Sequence, residues 1–226
     1  MASTLADYIT ALGDESGTIT KVVSQAKRHD RVSIFIDGEF AFGVSDEVAA
    51  HNGLRAGVIV ASEILHAVAR EEEMTNCKRV ALHYISYRMR SEVEVRRRLA
   101  KEDAGPAIVD AVLAQLREIG VVDDKAFASA FGRDAVLGRK WGPHRVARGL
   151  RQAGVSDEYI EEALGEVRNT LEDEDVVMKV GRKRWEQLQG VSDVRKRKKR
   201  LYDYLARRGF DFADIRRVLD DLAALK

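Results

Sequence analysis

The sequence predicts a mainly α-helical protein: a tandem array of three three-helix, helix-turn-helix-like repeats, elongated and curved, preceded by a small three-stranded β/α module. Runs typical of β-strands occur only before residue 75. Beyond it, apolar residues recur at the i, i+3, i+4 and i+7 spacing of amphipathic helices. One apolar-and-glycine motif recurs at intervals of 51 and 55 residues, which is typical of a repeat architecture. With 2 Pro and 7% aromatic residues among 226, the chain suits helices packed through Leu, Val and Ala.

The N-terminal third predicts a mobile arm followed by the β/α module. Residues 1–17 are polar and predict the arm, either without regular structure or with a single helical turn. Three runs typical of strands follow, at residues 18–26, 31–36 and 39–44. Asp37-Gly38 predicts the two-residue turn of a hairpin, because Gly accepts the positive φ that this turn demands. Ser45 predicts the cap of a short helix, and a second short helix is expected over residues 62–73. The module is therefore placed at residues 18–74.

Three repeats are predicted at residues 75–121, 122–171 and 172–226. Their shared motif is an apolar pair at i and i+4 followed four residues later by Gly, and its copies are Val95-Leu99-Asp103, Val146-Leu150-Gly154 and Leu201-Leu205-Gly209. The apolar pair buries one stripe of a helix, and the Gly ends that helix in the left-handed conformation. Asp103 departs from this pattern. Each repeat is therefore predicted to be a helix, a second helix, a tight turn and a third helix, with its faces buried on its neighbours.

Charge is distributed unevenly along the chain. Residues 1–75 hold 12 acidic and 6 basic side chains, and residues 76–226 hold 25 acidic and 32 basic ones. Three basic clusters fall in the loop and second helix of the three repeats. They are Arg88, Arg90, Arg96, Arg97, Arg98 and Lys101; then Arg139, Lys140, Arg145, Arg148 and Arg151; then Arg195, Lys196, Arg197, Lys198, Lys199 and Arg200. A single basic run is usually a solvated face. Because these charges repeat with the fold, we interpret them as a binding surface for an anionic partner.

No set of residues in the sequence predicts catalysis. The sequence lacks the glycine-rich loops that bind nucleotide phosphates, and its five histidines do not have the spacing of metal ligands. Cys77 is the single cysteine, so neither an internal disulfide nor a multi-cysteine zinc site is expected. Asp123-Asp124 is interpreted as a helix N-cap, and Trp141 and Trp185 as packing anchors. We expect a protein that is not an enzyme and that holds no cofactor or metal.

The expected location is the cytoplasm, because no apolar stretch is long enough to span a membrane and the N-terminus lacks the pattern of a signal peptide. Helix-turn-helix units also occur in proteins that read DNA. The second helices here offer Arg and Lys but little Asn or Gln, which favours phosphate contact over base reading. A general helix-turn-helix nucleic-acid-binding protein or transcription regulator remains an alternative, as does an adaptor that makes no DNA contact.

Four motifs occur in order along the helical region. They are Arg88-x-Arg90-Ser91-x-x-Glu94-Val95-x-x-Arg98-Leu99, Val122-Asp123-Asp124-x-x-Phe127-Ala128, Gly142-x-x-x-Val146-x-x-x-Leu150-x-x-x-Gly154-Val155 and Leu201-x-x-x-Leu205-x-x-Arg208-Gly209-Phe210. None is specific alone, but in this order and spacing they resemble the RecX family of RecA regulators. The resemblance covers about residues 75–220 and, more loosely, residues 18–73.

The resemblance implies a non-catalytic protein that docks in the helical groove of the RecA–DNA filament. It would there suppress filament growth, ATP hydrolysis and strand exchange. The implied partners are RecA, its filament, and single- or double-stranded DNA through the phosphate backbone. The implied processes are DNA repair, homologous recombination and the SOS response. The protein is expected to act as a monomer.

Overall fold

The computed structural model describes residues 5–224, except residues 14, 103 and 174 and the side chain of residue 173. These residues form two compact units. The first runs up to Tyr87 and includes Arg96–Glu118, and the second consists of Arg88–Val95 and the chain from Ile119 onward. The predicted fold class, mainly helical with a small N-terminal sheet, is confirmed.

An antiparallel sheet lies in the first unit. Its strands are β1 (Ser16–Ser24), β2 (Arg31–Ile36), β3 (Glu39–Ser45) and β4 (Ile59–Ala61), in the order β3-β2-β1-β4. Asp37 and Gly38 form the predicted hairpin turn, both with positive φ. The prediction of three strands is wrong, because β4 pairs with the start of β1, Val60 opposite Gly17. With three residues, β4 is too short to show the alternation by which strands are recognised.

Two helices of the first unit correct the prediction for the N-terminal third. The described part of the expected mobile arm contains helix α1 (Leu5–Leu12), which buries Leu5 and Ile9 at i and i+4. The other correction concerns α3 (Ser62–Ser86), a single helix of 25 residues. The predicted boundary at residue 74 falls inside it. The mostly polar run from Glu71 to Asn76 weakens the apolar pattern there, but it contains no Gly or Pro that would end a helix.

Short-range signals in the same region are confirmed. Helix α2 (Asp46–His51) follows Ser45, whose hydroxyl accepts a hydrogen bond from Val48 N at 3.4 Å. The core of this unit contains Ile34 and Phe42 from the sheet and Leu65 from α3, all fully buried.

Among the described residues, nine helices make up the three repeats, and they confirm the repeat motif. They are α3 with α4 (Glu92–Leu99) and α5 (Pro106–Glu118); α6 (Asp124–Leu137), α7 (Pro143–Gln152) and α8 (Asp157–Asp173); and α9 (Val176–Gln187), α10 (Val194–Arg207) and α11 (Phe212–Ala224). The apolar pairs of the second helices are all fully buried. Gly154 and Gly209 end α7 and α10 with φ of 80° and 83°. Asp103, at the departing position of the first repeat, lies outside the described residues.

One contact recurs between successive repeats in the second unit. The turn that follows the second helix of one repeat packs on the start of the second helix of the repeat before it. Thus the hydroxyl of Ser91, a buried residue, donates to the carbonyl of Ala153 at 2.6 Å. In the next pair of repeats, Gly142 N donates to the carbonyl of Arg208 at 2.8 Å. This contact fixes the loops before α4 and α7, which carry parts of the first and second basic clusters.

Candidate nucleic-acid interface

The first basic cluster is largely compensated by carboxylates. Arg88 pairs with Glu94 at 2.7 Å, Arg96 pairs with Asp110, and Arg98 pairs with Glu102. The cluster is also divided, since Arg88 and Arg90 belong to the second unit while Arg96, Arg97, Arg98 and Lys101 belong to the first. Lys101 is exposed. These ion pairs reduce the charge that the cluster offers to a partner.

The second cluster is built around Trp141, in the loop between α6 and α7. The guanidinium carbons of Arg139 and Arg145 lie 5.0 and 4.3 Å from the centre of its ring system, within cation–π range. Lys140 and Arg148 are exposed and make no ion pair with any described residue. Trp141 packs against the core, as predicted. The indole therefore holds the guanidinium groups of Arg139 and Arg145 by cation–π contact. The side chains of Lys140 and Arg148 belong to the same cluster and are not paired with a described carboxylate.

The third cluster lies on α10. Arg197 is half-buried, with its guanidinium carbon 3.9 Å from the ring centre of Trp185 and its Nη2 donating to the Trp185 carbonyl at 2.7 Å. Lys198 is also half-buried, whereas Arg195, Lys196, Lys199 and Arg200 are exposed. Three of these, Arg195, Lys196 and Lys199, are the side chains that the helical geometry predicts to project outward.

One residue of α10 departs from what helical periodicity predicts. Helical spacing suggests that Val194 and Leu201, seven residues apart, share the buried stripe. Instead Val194 is 55% exposed, while Leu201 and Leu205 are fully buried. Val194 is the first residue of the helix, one residue after the Asp193 cap, so the core does not reach it.

The second and third clusters are joined by Arg208, at the end of α10. Its Nη1 donates to the carbonyls of Arg139 at 2.8 Å and Lys140 at 3.2 Å. The guanidinium carbons of Arg208 and Arg184 lie 4.9 and 5.2 Å from the ring centre of Tyr204. The two clusters therefore share a connected framework of guanidinium groups and aromatic rings within the second unit.

Sequence reasoning left Arg184 and Arg208 out of the three basic clusters, because it considered only the loop and second helix of each repeat. Arg184 lies in the first helix of the third repeat, and Arg208 was noted only as part of a motif. Arg208 follows Tyr204 by four residues, a spacing that places two side chains on one helical face. That pairing of Tyr with Arg was the available signal. The contact of Arg208 with residues 139 and 140 had none, because it links positions almost 70 residues apart.

The carboxylates of Asp123 and Asp124 have structural roles, and Cys77 is a buried residue. Asp123 caps α6 by accepting from Ala126 N at 2.9 Å, as predicted. Asp124 accepts from Glu92 N at 2.7 Å, and burial raises the pKa of its carboxyl group. Cys77 is buried, which raises the pKa of its thiol and leaves little of the reactive thiolate. Among the described residues, no group of three or more potential ligands is placed to hold a metal ion.

The candidate interface consists of guanidinium and ammonium groups held on the helices and loops of the second and third repeats. Such groups donate hydrogen bonds and accept none, so they suit phosphate oxygens or carboxylates. No helix within the described part of the chain has the length and apolar character needed to cross a membrane. Fold and surface together define a helical-repeat protein with exposed basic side chains on its second and third repeats.

Comparison with known proteins places the chain within this class. Family models match it in four segments: the regulatory protein RecX N-terminal domain at residues 17–61, and the first, second and third RecX three-helix domains at residues 77–116, 123–164 and 172–219. The chain belongs to the RecX family. The four matches cover the sheet and all three repeats.

Individual relatives agree with these matches. The chain is 29% identical over 210 residues to the regulatory protein RecX of Clostridium acetobutylicum, covering 92% of this chain and 97% of that one. It is 38% identical over 150 residues to that of Halalkalibacterium halodurans, covering 65% and 56%. A crystal structure of regulatory protein RecX superimposes with a TM-score of 0.72 at 26% identity, covering 90% of this chain and 99% of that one. These names support a regulatory role.

Proposed function

We propose that this protein is a non-catalytic regulator that binds RecA and the RecA–DNA filament and lowers filament growth, ATP hydrolysis and strand exchange. The observation that carries the DNA part of the proposal is the joined second and third basic clusters. Their free cations, among them Lys140, Arg148, Arg195 and Lys199, make no ion pair with described residues. The RecA part rests on membership of the RecX family.

Contact with the filament is proposed to use phosphate and acidic side chains as the anions. Each phosphate that a cation neutralises releases counterions, so binding should weaken steeply as the salt concentration rises. The first cluster is assigned a smaller part, because Arg88 and Arg98 are already paired with Glu94 and Glu102.

The test is the rate of DNA-dependent ATP hydrolysis by RecA, measured as this protein is added. We expect the rate to fall as the protein approaches one copy per RecA subunit, while the protein alone hydrolyses no nucleotide. An unchanged rate at saturating protein would contradict the proposal. A base-specific footprint in the absence of RecA would instead support a general helix-turn-helix DNA-binding protein. Binding to bare RecA that ignores both DNA and salt would support an adaptor.

A further inference from the structure

Two exposed aromatic side chains lie together on the third repeat. Tyr202 of α10 is 37% exposed and Phe212, the first residue of α11, is 65% exposed. Their ring centres are 6.4 Å apart and the rings meet edge to face. Trp141 and Trp185, the aromatic residues singled out from the sequence, are instead packed against the core. Among the described aromatic residues of the third repeat, Tyr202 and Phe212 are exposed, whereas Trp185 and Tyr204 are half-buried and Phe210 is buried.

The exposed rings continue a basic stripe of α10. Arg195, Lys199 and Tyr202 stand at i, i+4 and i+7 of the helix, so they share one face. All three are exposed, and neither Arg195 nor Lys199 pairs its side chain with a described carboxylate. Going along this face, a partner meets two unpaired cations and then two ring faces.

We propose that Tyr202 and Phe212 form a stacking site for unpaired bases of single-stranded DNA, whose phosphates lie on Arg195 and Lys199. Single-stranded nucleic acids are bound by this combination, since cations follow the backbone while aromatic rings stack on bases of any sequence. In a duplex the base faces are already stacked and cannot reach the rings. The proposal deepens the DNA contact of the proposed function, on which it rests, by adding a preference for single strands.

The charge of this face argues against an ordinary apolar protein contact. A protein partner would have to place an apolar side chain on the rings and carboxylates on the two cations at once. A single strand offers both partners in every nucleotide, because each carries a phosphate and a base. A single strand therefore fits this face better than a protein, which would need a particular arrangement of apolar and acidic side chains.

The experiment compares the full chain with the double variant Tyr202→Leu/Phe212→Leu, which keeps apolar bulk and removes the rings. Three probes of equal length are used: oligo(dT), a fully abasic strand and a duplex. We expect the unaltered protein to bind oligo(dT) about tenfold or more tightly than the abasic strand. The double variant should lose this difference and bind both strands as the unaltered protein binds the abasic one. Its affinity for the duplex should not change.

Phe40→Leu is the matched control, because Phe40 is also an exposed aromatic residue, 42% exposed and in edge contact with Phe35. It should leave all three affinities unchanged, and every variant should keep its melting temperature within a few degrees. Equal losses on oligo(dT) and on the abasic strand, or no loss on oligo(dT), would overturn the proposal. Loss of RecA binding with unchanged affinity for oligo(dT) would assign the rings to a protein contact and also overturn it. The DNA-binding measurements contain no RecA. They therefore test the stacking site even if the protein proves not to regulate RecA.

Discussion

Gly142 occupies a position where no side chain fits. It lies before α7 with an ordinary φ of −88°, so its backbone would suit any residue. A Cβ placed there would overlap the backbone of Gly209 in the next repeat. The close approach allows Gly142 N to bond the carbonyl of Arg208. Glycine is required here by a neighbouring repeat and not by its own conformation.

The variant Gly142→Ala should therefore be destabilised by about 2 kcal/mol or more, because the added methyl meets backbone atoms that cannot move aside as a side chain would. Gly165 in α8 is the control, since a Cβ there meets nothing within 4 Å. Gly165→Ala should stabilise the chain by roughly 0.5–1 kcal/mol through helix propensity. Urea unfolding of both variants measures the difference. Equal stability of the two would show that the repeats do not approach closely at Gly142.

Predictability at this scale depends on how far apart the interacting residues lie in sequence. Gly154 and Gly209 were predicted as helix ends because the reason, a positive φ after an apolar pair, is local. The need for glycine at position 142 arises from a residue in the next repeat, so no local pattern could reveal it. The same holds for Ser91, whose bond to Ala153 spans 62 positions.

At the scale of the element, α10 shows how one helix serves packing and binding. Leu201 and Leu205 bury one stripe, Arg197 is held on Trp185, and four basic side chains are exposed: Arg195, Lys196, Lys199 and Arg200. Position 197 stands four residues before Leu201, as Gly142 does before Val146 and Ser91 before Val95. In the first two repeats this position receives a turn of the next repeat. In the third repeat, the residue at this position is Arg197, whose side chain lies on the ring of Trp185.

Changing Arg195, Lys196 and Lys199 of α10 together to Ala should preserve the melting temperature within a few degrees. Exposed charges contribute little to stability, typically under about 1 kcal/mol each, and Ala favours helix. Affinity for DNA should fall, and the slope of log K against log salt should flatten by up to about 2 units on single strands. Filter binding over a range of salt concentrations measures this slope. Lost stability with unchanged binding would mean that the run is structural.

The control for this variant is Lys27→Ala/Arg28→Ala/Arg55→Ala, which removes three exposed cations from the first unit. Both triple variants lose three positive charges, so a general effect of net charge would lower the affinity of both for DNA equally. A specific contact of α10 predicts that the control keeps the salt slope of the unaltered protein.

For the whole molecule, the partition into compact units differs from the order of segments along the chain. The sequence places a boundary at residue 74, where β-like runs give way to helical periodicity. In the structure α3 passes through that point, and it packs against both α1 and α5. Helices α3 and α5 of the first repeat therefore share the unit of the sheet, while the start of α4 belongs to the second unit. Periodicity identifies helices and repeats because they are local, but it does not report which of them pack together.

A fragment of residues 119–226, which holds repeats two and three, should be strongly helical and unfold cooperatively on its own. It keeps the buried cluster that includes Val146, Leu150, Leu201 and Leu205. It should be less stable than the full chain by a few kcal/mol at most, since it loses the contacts of Ser91 and Val93 with the turn at Gly154. Circular dichroism during urea unfolding measures both properties. A fragment without a cooperative transition would contradict the assignment of this unit.

The most direct test of the proposed role combines the RecA reaction with the two triple variants. DNA-dependent ATP hydrolysis by RecA filaments is followed while each protein is titrated in. The unaltered protein and the Lys27/Arg28/Arg55 control should lower the rate at the same concentrations. The Arg195/Lys196/Lys199 variant should need several times more protein for the same effect, and this gap should narrow as salt is raised. A rate that none of the proteins lowers, or that all three lower equally, would contradict a regulator acting on the RecA filament through the basic surface of its second unit.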